Sequence, residues 1–562
     1  MDRRPWHNHY PLEVPPTLEY PSVPLTVLLK EAAEKFPERT AVTFFGKTTK
    51  YRELLDRSYR FADALKRLGV GKGERVALLL PNMPQYIVSY YGALLASCIV
   101  VQLNPLHVER ELLRHLTDSG AETIVCLDLL LPRIRNIRDK AGLKRIIVTS
   151  IGDELPAFKK ALYPLVQKRK GQPLPKYDAE AEQLFVFHRL LRSATPTPFT
   201  PETGPESDVA VLQYTGGTTG TPKGVMLTHA NLMANVRQCR SWLYKVESGQ
   251  ETVLAAVPLF HVYGMTVCMN LGLSIGANIV LVPRFDIDML LMTIHRDKPT
   301  IFPGAPTMYI AINHHPLSAV KYRVSSIRCC ISGSAPLPLE VQQQFEKLTG
   351  GRLVEGYGLS ECSPVTHANP IWGERKTGSI GLPWPDTDCK VVDPDNGEEM
   401  GCNQIGELLI RGPQVMKGYW NKPEETRKAI VDGWLYTGDM AYMDDDGYFH
   451  IVDRKKDMII AGGYNIFPRE VEEVLFEHSD VQEAAVIGVP DTYRGETVKA
   501  FIVRKSGASV TESELDIHCR SKLASYKVPR IYEFKESLPK TMVGKVSRRE
   551  LREEENGKEE GQ

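Results

Sequence analysis

The chain has 562 residues, 42% hydrophobic and 25% charged, too many for one hydrophobic core, so at least two domains of an ordinary globular protein are expected. Lys+Arg and Asp+Glu both number 69, which removes any global basic field that would recruit nucleic acid. Ten cysteines with no Cys-x-x-Cys spacing, one adjacent pair at Cys329-Cys330 and an opening Met1-Asp2-Arg3-Arg4-Pro5 without an apolar signal core argue for reduced thiols and a cytoplasmic setting.

Short apolar runs at 75–80, 123–126 and 145–148 alternate with amphipathic segments, the pattern of α/β layering around parallel strands. Residues 86–103 carry no charge and approach the length of a membrane span. Ser89, Gly92, Ser97 and Gln102 interrupt the run, and a buried helix feeding a buried strand accounts for it better. Residues 155–170 interleave apolar side chains with Lys159, Lys160, Lys168, Arg169 and Lys170 and contain no acid. That mixture suits a membrane surface or, equally, a solvated basic loop.

The run from Tyr214 to Gly224 holds four glycines, four threonines and Lys223 in eleven residues, between strand-like stretches at 209–212 and 224–227. Glycines let backbone N–H groups approach an anion, and hydroxyls with an ammonium complete the grip. It is not a P-loop, because Lys223 follows Pro222 and precedes Gly224, and a strand follows where a helix should. Further strands are expected at 252–257 and 278–282, and antiparallel structure at 406–412 and around Asp446-Gly447. Asp444-Asp445-Asp446-Gly447 lacks the alternate acids of a calcium loop and reads as a hairpin turn. Beyond 453–457 a compact α+β unit is expected, with a helix at 468–477, strands at 484–489 and 498–503, and a capping box at Thr511-Glu512-Ser513-Glu514. The polar, acidic tail from Glu553 reads as disordered.

Five further segments bear on chemistry: Phe260-His261-Val262-Tyr263-Gly264, Ser332-Gly333-Ser334-Ala335-Pro336, Gly356-Tyr357-Gly358-Leu359-Ser360-Glu361, Tyr436-Thr437-Gly438-Asp439, and Leu538-Pro539-Lys540-Thr541-Met542-Val543-Gly544-Lys545. Taken in order and spacing with the glycine–threonine run, they resemble the AMP-forming acyl-adenylating superfamily over nearly the whole chain, and within it the bacterial long-chain fatty acid–CoA ligases. The resemblance implies an α/β fold: a large N-terminal domain of layered α/β subdomains with an antiparallel β subdomain over 1–452, a hinge at 453–457, and a small mobile α+β domain over 458–552 before the tail 553–562.

It also implies roles. Thr215, Gly216, Gly217, Thr218, Thr219, Gly220 and Lys223 would hold the phosphates of ATP. Glu361 with Thr215 would bind Mg²⁺, a hard cation served by few carboxylates plus phosphate oxygens. Tyr357, between Gly356 and Gly358 and followed by Ser360, would stack on adenine, with Gly333, Ser334 and Ala335 on its other side. Asp439 and Arg454 would take the ribose. Lys545 would bridge carboxylate and α-phosphate in the transition state. His261, Tyr263, Gly264 and Gly333 would border the acyl pocket, His261 with a catalytic role. Asp453, Lys456, Gly462 and Gly463 would lie on the hinge and the coenzyme A side.

The implied reaction joins a long-chain fatty acid to coenzyme A through an acyl-adenylate, releasing AMP and pyrophosphate. The apolar, modest bulk of 264–271 suits an alkyl chain, while medium-chain or aromatic acids, a luciferase-like oxygenation and a non-catalytic relative remain as alternatives. Retention of Glu361, Asp439, Arg454 and Lys545 counts against the last. Fatty acid, ATP and coenzyme A are the expected partners, with no nucleic acid. Peripheral contact with the inner membrane face is expected through 155–170, and the oligomeric state is open, a homodimer being one candidate.

Overall fold

Runs of Val, Ile, Leu and Ala that tolerate burial on both faces build the first sheet. Arg75–Leu79 (β1), Ile99–Gln102 (β2), Thr123–Leu127 (β3), Arg145–Thr149 (β4), Leu184–Val186 (β5) and Val209–Thr215 (β6) are parallel, and Lys223–Thr228 (β7) is antiparallel to β6. The spatial order is Gly418–Tyr419, β7, β6, β2, β1, β3, β4, β5. Val76, Ala77, Leu78, Val100, Val101, Ile124 and Val125 are fully buried, as strands covered on both faces must be. The computed structural model describes residues 4–215, 222–318, 320–461, 464–491, 494–541 and 545–559.

The uncharged run 86–103 resolves as expected: every residue of the helix Pro84–Leu95 is buried, and β2 follows it. No helix among the described residues is long and apolar enough to cross a membrane. The basic segment differs from the loop that was one of its two readings, since Ala157–Arg169 (α1) is a helix.

A second sheet orders Thr252–Ala255, Asn278–Leu281, Thr40–Phe44 and Lys47–Lys50. Cys329–Ser332 (β8) and Arg352–Gly358 (β9) are parallel neighbours. Parallel bridges Val253↔Ile301 and Ile301↔Cys329 tie this pair to the second sheet.

The chain groups into two compact units, one of His7–Asp388 with Arg411–Gly433, the other of Met1–Trp6, Cys389–Ile410 and Trp434–Gln562. Within the second, Gly406–Arg411 (β10), Trp434–Met443 (β11) and Phe449–Arg454 (β12) are antiparallel, with Asp446-Gly447 at the tip of the β11–β12 hairpin. The φ of +82° at Gly447 and the close approach of the Trp6 backbone there admit no side chain.

The following α+β portion carries Pro468–Phe476 (α2), long strands Val481–Asp491 and Gly495–Arg504, and the helix Glu512–Arg520 opened by the Thr511/Glu514 capping box. Its core gathers Ile459, Ile466, Val471, Leu475, Val486, Ala500 and Leu515. The tail departs from the expected disorder, because Arg548–Glu559 (α3) stays helical past Glu553. Its acids are engaged: Glu553 with Arg549 at 2.7 Å, Glu554 with Lys535 at 2.5 Å and Glu555 with Lys499 at 2.5 Å.

Candidate active site

Thr215 ends β6 and faces Lys223, the first residue of β7, across their hairpin. The carboxyl end of a parallel strand is where open α/β sheets receive ligands. Gly216, Gly217, Thr218, Thr219 and Gly220 lie outside the described residues. Lys223 Nζ sits 2.6 Å from Glu425 Oε2 and 5.1 Å from the centroid of the Tyr419 ring. The Tyr419 hydroxyl donates to Glu361 Oε1 at 2.8 Å, and burial followed by the Glu361 charge raises its pKa well above the usual phenol value. Glu361 is the middle residue of a short 3₁₀ turn, Ser360–Cys362, and its carbonyl accepts from Met416 N at 2.7 Å.

The structure therefore gathers Lys223, Glu361, Tyr419 and Glu425. Among the described residues no group of three or more His, Cys, Asp or Glu is arranged so that it could hold a metal ion. A cation at Glu361 would draw most of its ligands from phosphate and water, a donor set that fits Mg²⁺.

Two more elements end at the carboxyl side of adjacent parallel strands. Ser332 of β8 pairs with Glu355 of β9, which places Gly333 just past one strand end and Tyr357 near the other. Ser334 adopts a φ of +73°, a sparsely populated state for a residue with a side chain, and Ala335 follows it half-buried. The Tyr263 ring packs against Gly333, its hydroxyl donating to Ile331 O at 2.6 Å.

The glycines here are small for different reasons. A Cβ at Gly264 would stand 2.2 Å from Pro258 O, so the protein's own backbone demands glycine. A Cβ at Gly333 would make ordinary van der Waals contact with the Tyr263 ring, 3.4 Å at the nearest, so the protein's own packing does not demand glycine there. Gly264 also starts a fully buried π-helical stretch, Gly264–Asn270, a geometry common at functional sites. His261 precedes it, with Nδ1 accepting from Tyr263 N at 3.3 Å, which leaves the proton of the neutral ring on Nε2. Burial lowers its pKa to about 4, so it is neutral at pH 7.

The remaining residues are set by β11 and β12. Asp439 and Arg454 are register partners across that hairpin, and Arg454 Nε lies 3.0 Å from Asp439 Oδ1. Asp439 is buried and Arg454 half-exposed. Thr437 Oγ1 donates to Leu408 O at 2.7 Å and accepts from Asp439 N at 3.1 Å, which fixes the turn before the carboxylate. Lys545 shares this environment. Desolvation of its ammonium and then the Arg454 charge lower its pKa to about 8, opposed by Asp439. The residue as a whole keeps an exposed surface.

Asp453 and Lys456 occupy the segment that follows. Asp453 is buried, and its carboxylate accepts from Arg454 N, Arg469 N at the start of α2, and Arg548 Nη1. Lys456 belongs to a single 3₁₀ turn, Lys455–Asp457, and burial followed by Arg454 lowers its pKa. Gly462, Gly463 and the 542–544 part of the lysine motif lie outside the described residues.

Three participants escape sequence reasoning. Tyr419 and Glu425 reach Lys223 from about two hundred positions away in a segment with no recognisable motif. Arg548 looks like one cation in a solvated basic run, yet it is half-buried between Asp453 at 2.9 Å, Glu472 at 2.7 Å and Asp457 at 3.5 Å. A helix start preceded by a glycine–lysine motif was its only signal.

The chain belongs to the AMP-binding enzyme family. The family's model matches residues 29–420, and that of the AMP-binding enzyme C-terminal domain matches 470–545. The chain is similar to a long-chain-fatty-acid–CoA ligase of Bacillus subtilis, 52% identical with 99% of each chain covered. The corresponding ligase of Escherichia coli O157:H7 is 40% identical, again with 99% of each covered. Among solved structures, ATP-bound MatB from Rhodopseudomonas palustris aligns with a TM-score of 0.83 at 30% identity, covering 94% of this chain and 98% of that one.

Proposed function

We propose that this protein is a long-chain fatty acid–CoA ligase that works through an acyl-adenylate, with ATP, Mg²⁺ and coenzyme A as its co-substrates and activator. The observation that carries the reading is the lysine of lowered pKa, Lys545, in the field of the Asp439–Arg454 pair. Full-length identity of 52% and 40% to relatives named for this reaction supports the substrate class.

In the first step a carboxylate oxygen attacks the α-phosphorus of ATP and the bond to pyrophosphate breaks. Phosphoryl transfer of this kind needs positioning and charge neutralisation more than covalent help. Thr215 and Lys223 take the phosphates, and Lys223 must exchange Glu425 for them. Glu361 with Thr215 would hold Mg²⁺, which would supply neutralisation of phosphate charge. Tyr357 stacks on adenine, with Gly333, Ser334 and Ala335 opposite. Asp439, an acceptor when ionised, takes ribose hydroxyls, with Arg454 beside it. Lys545 follows the charge from carboxylate to α-phosphate. The neutral His261 and Tyr263 border the acyl group, His261 offering an Nε2–H donor and no charge to repel an alkyl chain.

In the second step the thiol sulfur attacks the acyl carbonyl, the thiol proton passes to solvent and AMP leaves with its electron pair. A thiol and Lys545 need the same carbonyl, so the small domain turns about 453–457 between steps, with Lys456 at the pivot and Gly462 and Gly463 toward the pantetheine. The enzyme works in the cytoplasm with a peripheral station on the membrane's inner face. Pyrophosphate release measured across a panel of carboxylic acids, with and without coenzyme A, tests the reading. Release only with long-chain acids, and thioester only when coenzyme A is added, is expected. A preference for aromatic or short acids would overturn the substrate class.

A further inference from the structure

The helix α1 is built inside out. Facing the body of the protein are Lys159, Tyr163 and Gln167, spaced by four and therefore on one face. Lys159 Nζ donates to Phe45 O at 3.0 Å, and the Tyr163 ring packs on Gly152. Turned away from that face, Phe158, Leu162 and Leu165, at the i, i+4, i+7 positions of one stripe, are 66%, 52% and 63% exposed, and Val166 on the flank of the stripe is 43% exposed. A helix that serves only folding shows the reverse arrangement. A contiguous apolar stripe left in water marks an interaction surface.

The charges around the stripe choose its partner. Lys160, Lys168, Arg169 and Lys170 are exposed, and no acid occurs anywhere in 155–177. The nearest preceding carboxylate, Glu154, is engaged by Lys47 at 3.0 Å and by Arg57. The result is an exposed apolar stripe on a helix whose charges are all cations, complementary to a surface that is apolar just below a layer of negative charge.

We propose that α1 is the element by which this protein lies on an anionic lipid bilayer, Phe158, Leu162, Leu165 and Val166 entering the acyl boundary while Lys160, Lys168, Arg169 and Lys170 meet lipid phosphates. The purpose of this attachment rests on the ligase reading above, since a long-chain fatty acid collects in bilayers and is scarce in water. The helix approaches the bilayer from its side, with its axis in the interface plane. An alkyl substrate is then taken up where its local concentration is high, without a membrane-crossing segment.

The test is co-sedimentation of the full chain, without substrate, with vesicles of pure phosphatidylcholine and of equal parts phosphatidylcholine and phosphatidylglycerol. Binding to the anionic vesicles, weakened by salt, with little binding to the neutral ones, is expected. The triple variant Phe158→Ser, Leu162→Ser, Leu165→Ser and the quadruple variant with Lys160, Lys168, Arg169 and Lys170 changed to Gln should each lose about tenfold or more in partitioning. All seven side chains are exposed and none belongs to the active site, so an unchanged far-ultraviolet circular dichroism spectrum and thermal midpoint serve as the folding control. Unchanged vesicle binding in both variants, equal binding to the two lipid compositions, or no binding by the wild type overturns the proposal. So does a wild-type dimer that the serine variant splits while vesicle binding stays as before, which would make the stripe a contact between copies. Because no substrate is present, these outcomes are independent of whether the ligase reading stands.

Discussion

In the mechanism we propose, the chemistry turns on whether one ammonium is charged. Lys545, desolvated and facing Arg454, has a pKa lowered to about 8, so it is cationic at neutral pH and loses its proton as pH rises through that value. Only the cation can draw a carboxylate to a phosphate. The kcat/KM of pyrophosphate release should therefore fall on an alkaline limb near pH 8, and Lys545→Arg should move the limb upward, because a guanidinium stays protonated. A wild-type profile that stays level well beyond that pH would remove the lysine from the adenylation step. Lys545→Ala should cost on the order of 3–4 kcal/mol in that step and leave thioester formation from supplied acyl-AMP nearly intact. Lys223 presents a second residue-scale question, because Glu425 holds the ammonium that we propose takes phosphate. Glu425→Gln should lower the KM for ATP with kcat little changed. An increase in KM would show instead that Glu425 aims the lysine.

At the scale of elements, the segment between β12 and α2 is joined to the start of α3 by buried charge. Arg548 spans Asp453, Asp457 and Glu472, and Arg552 adds a contact to Asp457 at 2.7 Å. Burial pushes the Glu472 carboxyl up, with Arg548 opposing, so loss of the arginine leaves an uncompensated buried acid. Arg548→Met should destabilise by about 3–5 kcal/mol, read from the denaturant midpoint, and Arg548→Lys should recover only part of this because an ammonium cannot serve three carboxylates in a fork. A neutral effect would place the network outside the stability of the fold. Lys456→Pro probes the same segment as a pivot. Fixing φ at this turn should depress thioester formation more than pyrophosphate release. Equal loss of both half-reactions, or of neither, would place the hinge elsewhere. The sequence disclosed this segment only as a run of charges, because pairing at a distance of about ninety-five positions leaves no local pattern.

Over the whole molecule, what was legible in the sequence is what is local. The apolar runs that became β1, β3 and β4, the Thr511 capping box and the Asp446-Gly447 hairpin each follow from neighbours within a few residues. The Asp439–Arg454 pairing depends on cross-strand register, and the Lys223–Glu425 pair on packing of distant segments, so neither was readable beyond resemblance. Burial is likewise a property of the assembled chain, and it fixes how the protein responds to acid. His229 and His261 have pKa values lowered to about 4, and His115 and His367 to about 3, in every case chiefly by burial. All four are ordinary histidines in the unfolded chain, with pKa near 6.5. Between about pH 6.5 and pH 4 the unfolded state therefore binds protons that the folded state refuses, so folding stability is complete above that window and falls as pH drops through it. Each pKa unit of displacement corresponds to about 1.4 kcal/mol. The denaturation midpoint should decline steeply from neutral pH to about pH 5, before carboxylate titration dominates. His367→Gln, which keeps a hydrogen-bonding partner for the Thr366 hydroxyl now 2.9 Å from the ring, should make the decline shallower. A midpoint that holds level to about pH 5 in the wild type would mean that these rings gain protons without unfolding.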